Sequence, residues 1–183
     1  MSIQSFSDYV VESSKEVTFT FGRYNPPTIG HEILFNKLKA VARAGNYRIY
    51  ASQSEDAKKN PLPYKDKIKF LRKMFPKHAR NIIQDTKVKN VFDVLVAMYD
   101  EGFKRVNMVV GSDRVKEFDI LLNKYNGIKG RHGFYKLSLN IVSAGERDPD
   151  SDGAEGMSAS KMRMAAQQND LKSFSNGLPN NFK

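Results

Sequence analysis

The feature that most restricts this chain is a repeated alternation of short β-branched or aromatic runs with amphipathic helical stripes. Val17 to Phe21 reads as a strand that Gly22 stops. His31 to Arg43 follows, with Ile33, Leu34, Leu38 and Val41 at helical spacing. Tyr47 to Ala51 is a second strand, and the polar stretch Ser52 to Pro63 is a loop. Tyr64 to Phe75 sets Ile68, Leu71 and Phe75 against Lys65, Lys69 and Arg72, which predicts an amphipathic helix. The order repeats through a strand at Asn81–Gln84, a helix at Val91–Tyr99 and a buried-type strand at Val106–Val110. A helix marked by Val115, Phe118, Leu122 and Tyr125, a strand at Leu137–Ser143 and a helix at Ser158–Gln168 complete it. Such alternation predicts an α/β fold: a Rossmann-like, mostly parallel sheet with helices on both faces and a ligand beyond the carboxyl ends of the strands. At 183 residues one domain is expected, with a core over about 16–168, a flexible N-terminal segment and a tail that frays after Gly177-Leu178-Pro179.

Composition removes several classes. Without cysteine there is no disulfide scaffold, thiolate zinc site or cysteine nucleophile, which fits a reducing cytoplasm. No apolar run approaches the roughly 20 residues that cross a bilayer, and Met1 to Glu16 lacks a secretory-signal pattern. Thirty Lys and Arg against 20 Asp and Glu give a net charge of +10. That excess suits phosphorylated small molecules, nucleic acid or a membrane face, and equally a soluble protein that is merely basic. No Gly-x-Gly-x-x-Gly, P-loop or Gly-x-Ser-x-Gly sequence occurs, and His31, His78 and His132 have no zinc spacing. If the chain handles nucleotides, it does so by another device.

Two constellations supply one. Gly22-Arg23-Tyr24-Asn25-Pro26-Pro27-Thr28-Ile29-Gly30-His31 leaves a strand and opens a helix, where backbone amides and the positive dipole end favour anions. Gly30 would admit a phosphate to the backbone, and Thr28 and His31 would add a hydroxyl and an imidazole. A turn and helix cap with no ligand would use the same residues. Near the other end, Ser158 is a natural N-cap, Ser160 a second hydroxyl, and Arg163 a guanidinium one turn inside. Arg grips phosphate as a bidentate fork, although a capped surface helix reads alike. Two phosphate-type helix starts in one α/β chain favour an enzyme.

Thr28-Ile29-Gly30-His31 resembles the Thr/His-x-Gly-His motif of the HIGH-type nucleotidyltransferases. The lead-in Gly22-Arg23-Tyr24-Asn25-Pro26-Pro27 is similar to the Gly-Arg-Phe-x-Pro of nicotinamide mononucleotide adenylyltransferases. Gly156-Met157-Ser158-Ala159-Ser160-Lys161-Met162-Arg163 resembles the superfamily's second motif, Ile-Ser-x-Thr-x-x-Arg, with Ala159 and Lys161 as departures. Asn60-Pro61-Leu62 through Lys67 is similar to a segment beside the acceptor site in archaeal-type members, which makes Asn60 and Lys65 acceptor candidates. Gly111-Ser112-Asp113 is similar to their Gly-x-Asp, where Asp113 would meet ribose hydroxyls or an amino group, or else simply cap a helix.

The resemblance implies a cytoplasmic enzyme of NAD biosynthesis. It would join ATP to nicotinamide mononucleotide and release pyrophosphate, and short phage-encoded members are similar in length. A cytidylyltransferase acting on a sugar or alditol phosphate is the alternative, because Glu155-Gly156 also occurs there; an inactive nucleic-acid-binding relative is a more distant one. The implied catalytic residues are Thr28, His31 and Arg163. The implied nucleotide and phosphate contacts are Gly22, Arg23, Tyr24, Asn25, Gly30, Gly111, Asp113, Ser158 and Ser160. Mg²⁺ would arrive on the triphosphate, held by no protein side chain. The expected partners are small nucleotides rather than nucleic acid or membrane, with a homo-oligomer allowed. The five acidic residues between Glu146 and Glu155 suggest a lid over the triphosphate. The basic-aromatic run Lys129 to Lys136, with His132, Phe134 and Tyr135, could touch nucleic acid or a partner, although most such runs do neither.

Overall fold

The structure is a computed structural model that describes residues 15–145 and 157–182. Five strands lie parallel in the order β3-β2-β1-β4-β5. They are β1 (Glu16–Gly22), β2 (Asn46–Ala51), β3 (Ile82–Ile83), β4 (Arg105–Val110) and β5 (Ser138–Ser143). Between and after them run α1 (Gly30–Ala42), α2 (Tyr64–Met74), α3 (Val91–Asp100), α4 (Val115–Tyr125), α5 (Ala159–Gln167) and α6 (Leu171–Asn176). The chain starts in the middle of the sheet, moves outward to β3, then crosses back to β4. The direction of winding therefore reverses between β1 and β4, whose carboxyl ends are where sheets of this kind take a ligand.

Side-chain alternation along each strand feeds two cores, one on each face. Val17 and Phe19 of β1, Tyr50 of β2, and Val106, Met108 and Val110 of β4 pack with Leu95 and Met98 of α3 and Leu122 of α4. On the opposite face Ile49, Ala51 and Val109 meet Phe35 and Leu38 of α1 and Ile68 and Leu71 of α2. Both layers thus carry helices, as the alternating pattern predicts. The α3 stripe begins at a full capping box, in which Asn90 and Asp93 satisfy each other's backbone donors.

Two boundaries differ from the sequence reading. The third strand shrinks to Ile82–Ile83, because Pro76–Asn81 winds into a 3₁₀ helix and only two residues reach β2. The segment after the expected core, 16–168, continues into α6, and the residues after Pro179, expected to fray, form a 3₁₀ turn at Asn180–Phe182. Leu178 and Phe182 pack against the α1–α2 core, and the Phe182 ring meets Phe70 edge-on at 6.4 Å. The proposed N-terminal flexible segment and the acidic lid lie outside the described residues, apart from the lid's first neighbour Gly145. Among the described residues no helix is long and apolar enough to cross a membrane.

Candidate functional site

The loop between β1 and α1 is built from the inside out. Tyr24 is buried, and its backbone is left-handed at φ 45°. That conformation is uncommon for a residue with a side chain and marks a constrained loop. It folds the ring back over Gly22, where an added Cβ would lie 2.6 Å from Cζ. Gly22 is therefore required by the ring above it. Burial pushes the Tyr24 phenol far above its ordinary range, so it stays neutral, with Thr20 as its polar neighbour.

The same ring forms the floor for His31, meeting it edge-on at 4.9 Å, while Phe35 one turn along α1 stacks at 6.3 Å. Thr28 completes the cradle. Its backbone N–H donates to His31 Nδ1 at 2.9 Å, and its hydroxyl is 3.1 Å from the same nitrogen. The Thr28 carbonyl is also 3.2 Å from Nδ1, but the backbone N–H can only donate, so Nδ1 accepts and the proton of the neutral ring falls on Nε2. Thr28 is wholly buried, so it orients the imidazole instead of offering a hydroxyl of its own to a ligand.

Asn25 is also buried. Its side-chain carbonyl accepts from Leu62 N–H at 2.9 Å, and its amide donates to the Leu62 carbonyl at 3.3 Å. This reciprocal pair fastens the first motif to the loop after β2. That loop is held by Lys67 of α2, a fully buried lysine whose ammonium donates to the carbonyls of Ser52 and Ser54 at 2.6 and 3.0 Å. Ser52 in turn donates its N–H to the Gly22 carbonyl. Desolvation lowers the Lys67 pKa. Asn60 is buried and donates to Asp56 across a one-turn bridge, whereas Lys65 is exposed on α2.

The second motif arrives as its spacing predicts. Ser158 caps α5 by accepting from Lys161 N–H at 3.1 Å. Arg163 reaches out of α5 in two directions. One nitrogen donates to the backbone carbonyl of Asn25 at 2.7 Å, and the other donates to the Ser160 hydroxyl at 3.0 Å. Residues 138 positions apart in the chain are thereby joined. The contact is reinforced behind the motifs, where Ile29 N–H donates to the Gly177 carbonyl at 2.8 Å. Gly177 lies flat against α5, where a Cβ would sit 2.4 Å from Met162 Sδ. The carbonyl of Gly177 occupies one amide at the start of α1, so that terminus is only partly open to an anion.

The expected residues thus fall into two groups. Arg23 and Ser160 are exposed, and His31, Ser158 and Arg163 are half-buried, so these five stand at the surface of the joined motifs. Gly22, Tyr24, Asn25, Thr28 and Gly30 lie beneath and shape it. Gly111 and Asp113 follow β4, the strand beside β1, and Asp113 is exposed. Neither the 3₁₀ turn at Ser112–Arg114 nor α4 draws a side-chain cap from Asp113, so the capping role is not what holds it there. Sequence reasoning missed Lys67, Phe35 and Gly177. Lys67 looked like one more solvated lysine, and Gly177 like a chain terminator. Among the described residues no three His, Asp or Glu side chains converge to hold a metal.

No protein-family model matches the sequence, and no curated protein does. The fold itself is shared. The chain superposes with a TM-score of 0.55 on the crystal structure of "a Putative Nicotinate-nucleotide Adenylyltransferase from Vibrio parahaemolyticus". The two are 12% identical, and the match covers 87% of this chain and 92% of the other. At that identity the likeness establishes the architecture: a single-domain, Rossmann-like α/β sheet.

Proposed function

We propose that this protein is a nucleotidyltransferase that joins ATP to nicotinamide mononucleotide and releases pyrophosphate. One observation carries the reading: Arg163 of the second motif donates to the Asn25 carbonyl of the first, so the two helix starts proposed to hold phosphate lie side by side. The fold shared with a chain named as an adenylyltransferase agrees with it.

The chemistry follows from the donors. An acceptor phosphomonoester is already ionised near neutral pH, since its second pKa is about 6, so no general base is required. Its oxygen attacks the α-phosphorus in line; the new P–O bond forms as the bond to the β-phosphate oxygen breaks, and pyrophosphate leaves. His31 Nε2–H serves the α- and β-phosphates, where charge accumulates. Arg163, with Ser158 and Ser160, serves the β/γ end. Their contribution is alignment and electrostatic stabilisation by groups already held in place.

Among the described residues the donor set at the joined motifs is imidazole, guanidinium, hydroxyls and amides, which suits phosphate oxygens, and in this reading Mg²⁺ arrives on the triphosphate. There it neutralises phosphate charge and helps orient the leaving group. The reading assigns Asp113 to the ribose or base, and Asn60 and Lys65 to the acceptor.

The test is a matrix of the four nucleoside triphosphates with Mg²⁺ against nicotinamide mononucleotide, nicotinate mononucleotide and sugar or alditol phosphates. Pyrophosphate release is followed in each well. The expected result is turnover with ATP and a pyridine mononucleotide. Turnover only with CTP and a sugar or alditol phosphate would replace the substrate pair, and release in no well would end the reading.

A further inference from the structure

A second concavity lies away from the motifs, on the loop that leads from α4 into the amino end of β5. Its volume is about 460 Å³, within the range of small-ligand pockets. Phe92 of α3, Tyr125 of α4 and His132 line it with rings, and Ile128, Lys129 and Arg131 form its rim. His132 sits 5.0 Å from Tyr125 and 5.5 Å from Phe92, centroid to centroid.

The loop is built to hold that ring. Gly130 and Gly133 exchange backbone hydrogen bonds at 3.1 and 3.0 Å, closing a tight turn. Gly133 has φ +89°, and a Cβ on Gly130 would fall 2.9 Å from the imidazole. The His132 ring is therefore directed into the aromatic group, and its Nε2 is 3.0 Å from the Ile128 carbonyl. The two cations are left on the outside. Residues 124–136 carry four Lys and Arg and no acid. The nearest carboxylate in α3, Asp93, is committed to the capping box through Lys89 and Asn90.

We infer that this concavity binds single-stranded nucleic acid, taking one unstacked base against Phe92, Tyr125 and His132 while Lys129 and Arg131 hold the flanking phosphates. Aromatic rings interleaved with basic side chains are the chemistry of sequence-tolerant single-strand binding. An apolar peptide would leave both cations without a counter-charge, and a bare phosphate would leave the rings unused. A duplex keeps its bases stacked on one another and has none to offer. The sequence run alone did not reveal this, because Phe92 and Tyr125 come from outside it.

The experiment is fluorescence anisotropy of the whole chain with a labelled oligothymidylate 12-mer, repeated over a salt series. Three results are expected. The single strand binds at least tenfold more tightly than a duplex of equal length. Lys129→Ala/Arg131→Ala, both exposed positions, weakens binding at least tenfold at low salt and lowers the slope of log K against log salt by about 1.4, two phosphate contacts' worth. Phe92→Leu weakens binding about tenfold with the slope unchanged, which separates stacking from charge. His31→Ala, at the other site, leaves strand affinity intact. Equal binding of duplex and single strand, or an unaltered double variant, would overturn the inference. So would complete displacement by millimolar thymidine monophosphate, which would make a free nucleotide the occupant. Thermal melting establishes that each variant is folded.

Discussion

Between Tyr24 and Thr28 four of the five residues are buried and Asn25 and Thr28 are hydrogen-bonded, whereas among the described residues of the second motif Ser160 and Lys161 are exposed and Met162 alone is buried. The first motif grows out of a central strand and is fixed by the core beneath it. The second sits on a late helix and reaches the first through Arg163 and the Gly177 contact. The difference separates two ways of building the proposed site: one arm is preorganised by packing, and the other is docked onto it by hydrogen bonds. Damage to the first should register in stability as well as rate, and damage to the second mainly in rate.

His31→Ala sharpens this contrast most. It removes one donor from the preorganised arm and should lower turnover by about two to three orders of magnitude, the size of one transition-state donor. Pyrophosphate release measures it, and near-normal turnover in folded protein would refute the role. Arg163→Ala comes next. A charge-assisted hydrogen bond is worth about 1.5–3 kcal/mol, so kcat/KM should fall about ten- to hundredfold with little change in melting temperature. Arg163→Lys should recover only part of this, because one ammonium cannot span Asn25, Ser160 and a phosphate in the guanidinium's planar fork.

Gly22→Ala attacks the packed arm directly. The new methyl meets the Tyr24 ring, and overpacking of this kind costs about 1–3 kcal/mol in denaturant unfolding. Adding Tyr24→Leu should recover part of that cost, a coupling that additive effects would contradict. The smallest effect is with pH. His78 is buried between Tyr47, Phe35 and Asn36, and desolvation depresses its pKa. The unfolded chain then binds the extra proton first, so stability present above the unfolded value of about 6.5 is lost as pH falls below it. Melting temperature should drop between pH 7.5 and 5.5, and less so in His78→Gln. The acidic caps Asp56 and Asp170, whose carboxyls are held low by backbone and side-chain donors, act only below about pH 4.

The sheet and its helices were legible because period-2 and period-3.6 patterns are local and both faces needed covering. Both motifs were legible as strand-to-loop and helix-start sequences, whereas the bond from Arg163 to the Asn25 carbonyl that joins them was not. Which motif residues touch a ligand was not legible. Asn25 and Thr28 have the polar groups of ligand contacts, yet the pairing with Leu62 and the contact with His31 engage them internally, and the left-handed turn at Tyr24 buries its ring. Nothing in a one-dimensional pattern marks a lysine for burial, so Lys67 passed for surface. The tail was misread for a related reason: glycine and proline break helices, but a broken helix can still be packed.

That packed tail has a consequence for how the protein comes into being. Its first phosphate arm is synthesised by residue 31, but the strut behind it is Gly177 and the wedge beside α2 is Phe182. During synthesis the whole of the first arm therefore exists well before the carbonyl that will pin Ile29 from behind.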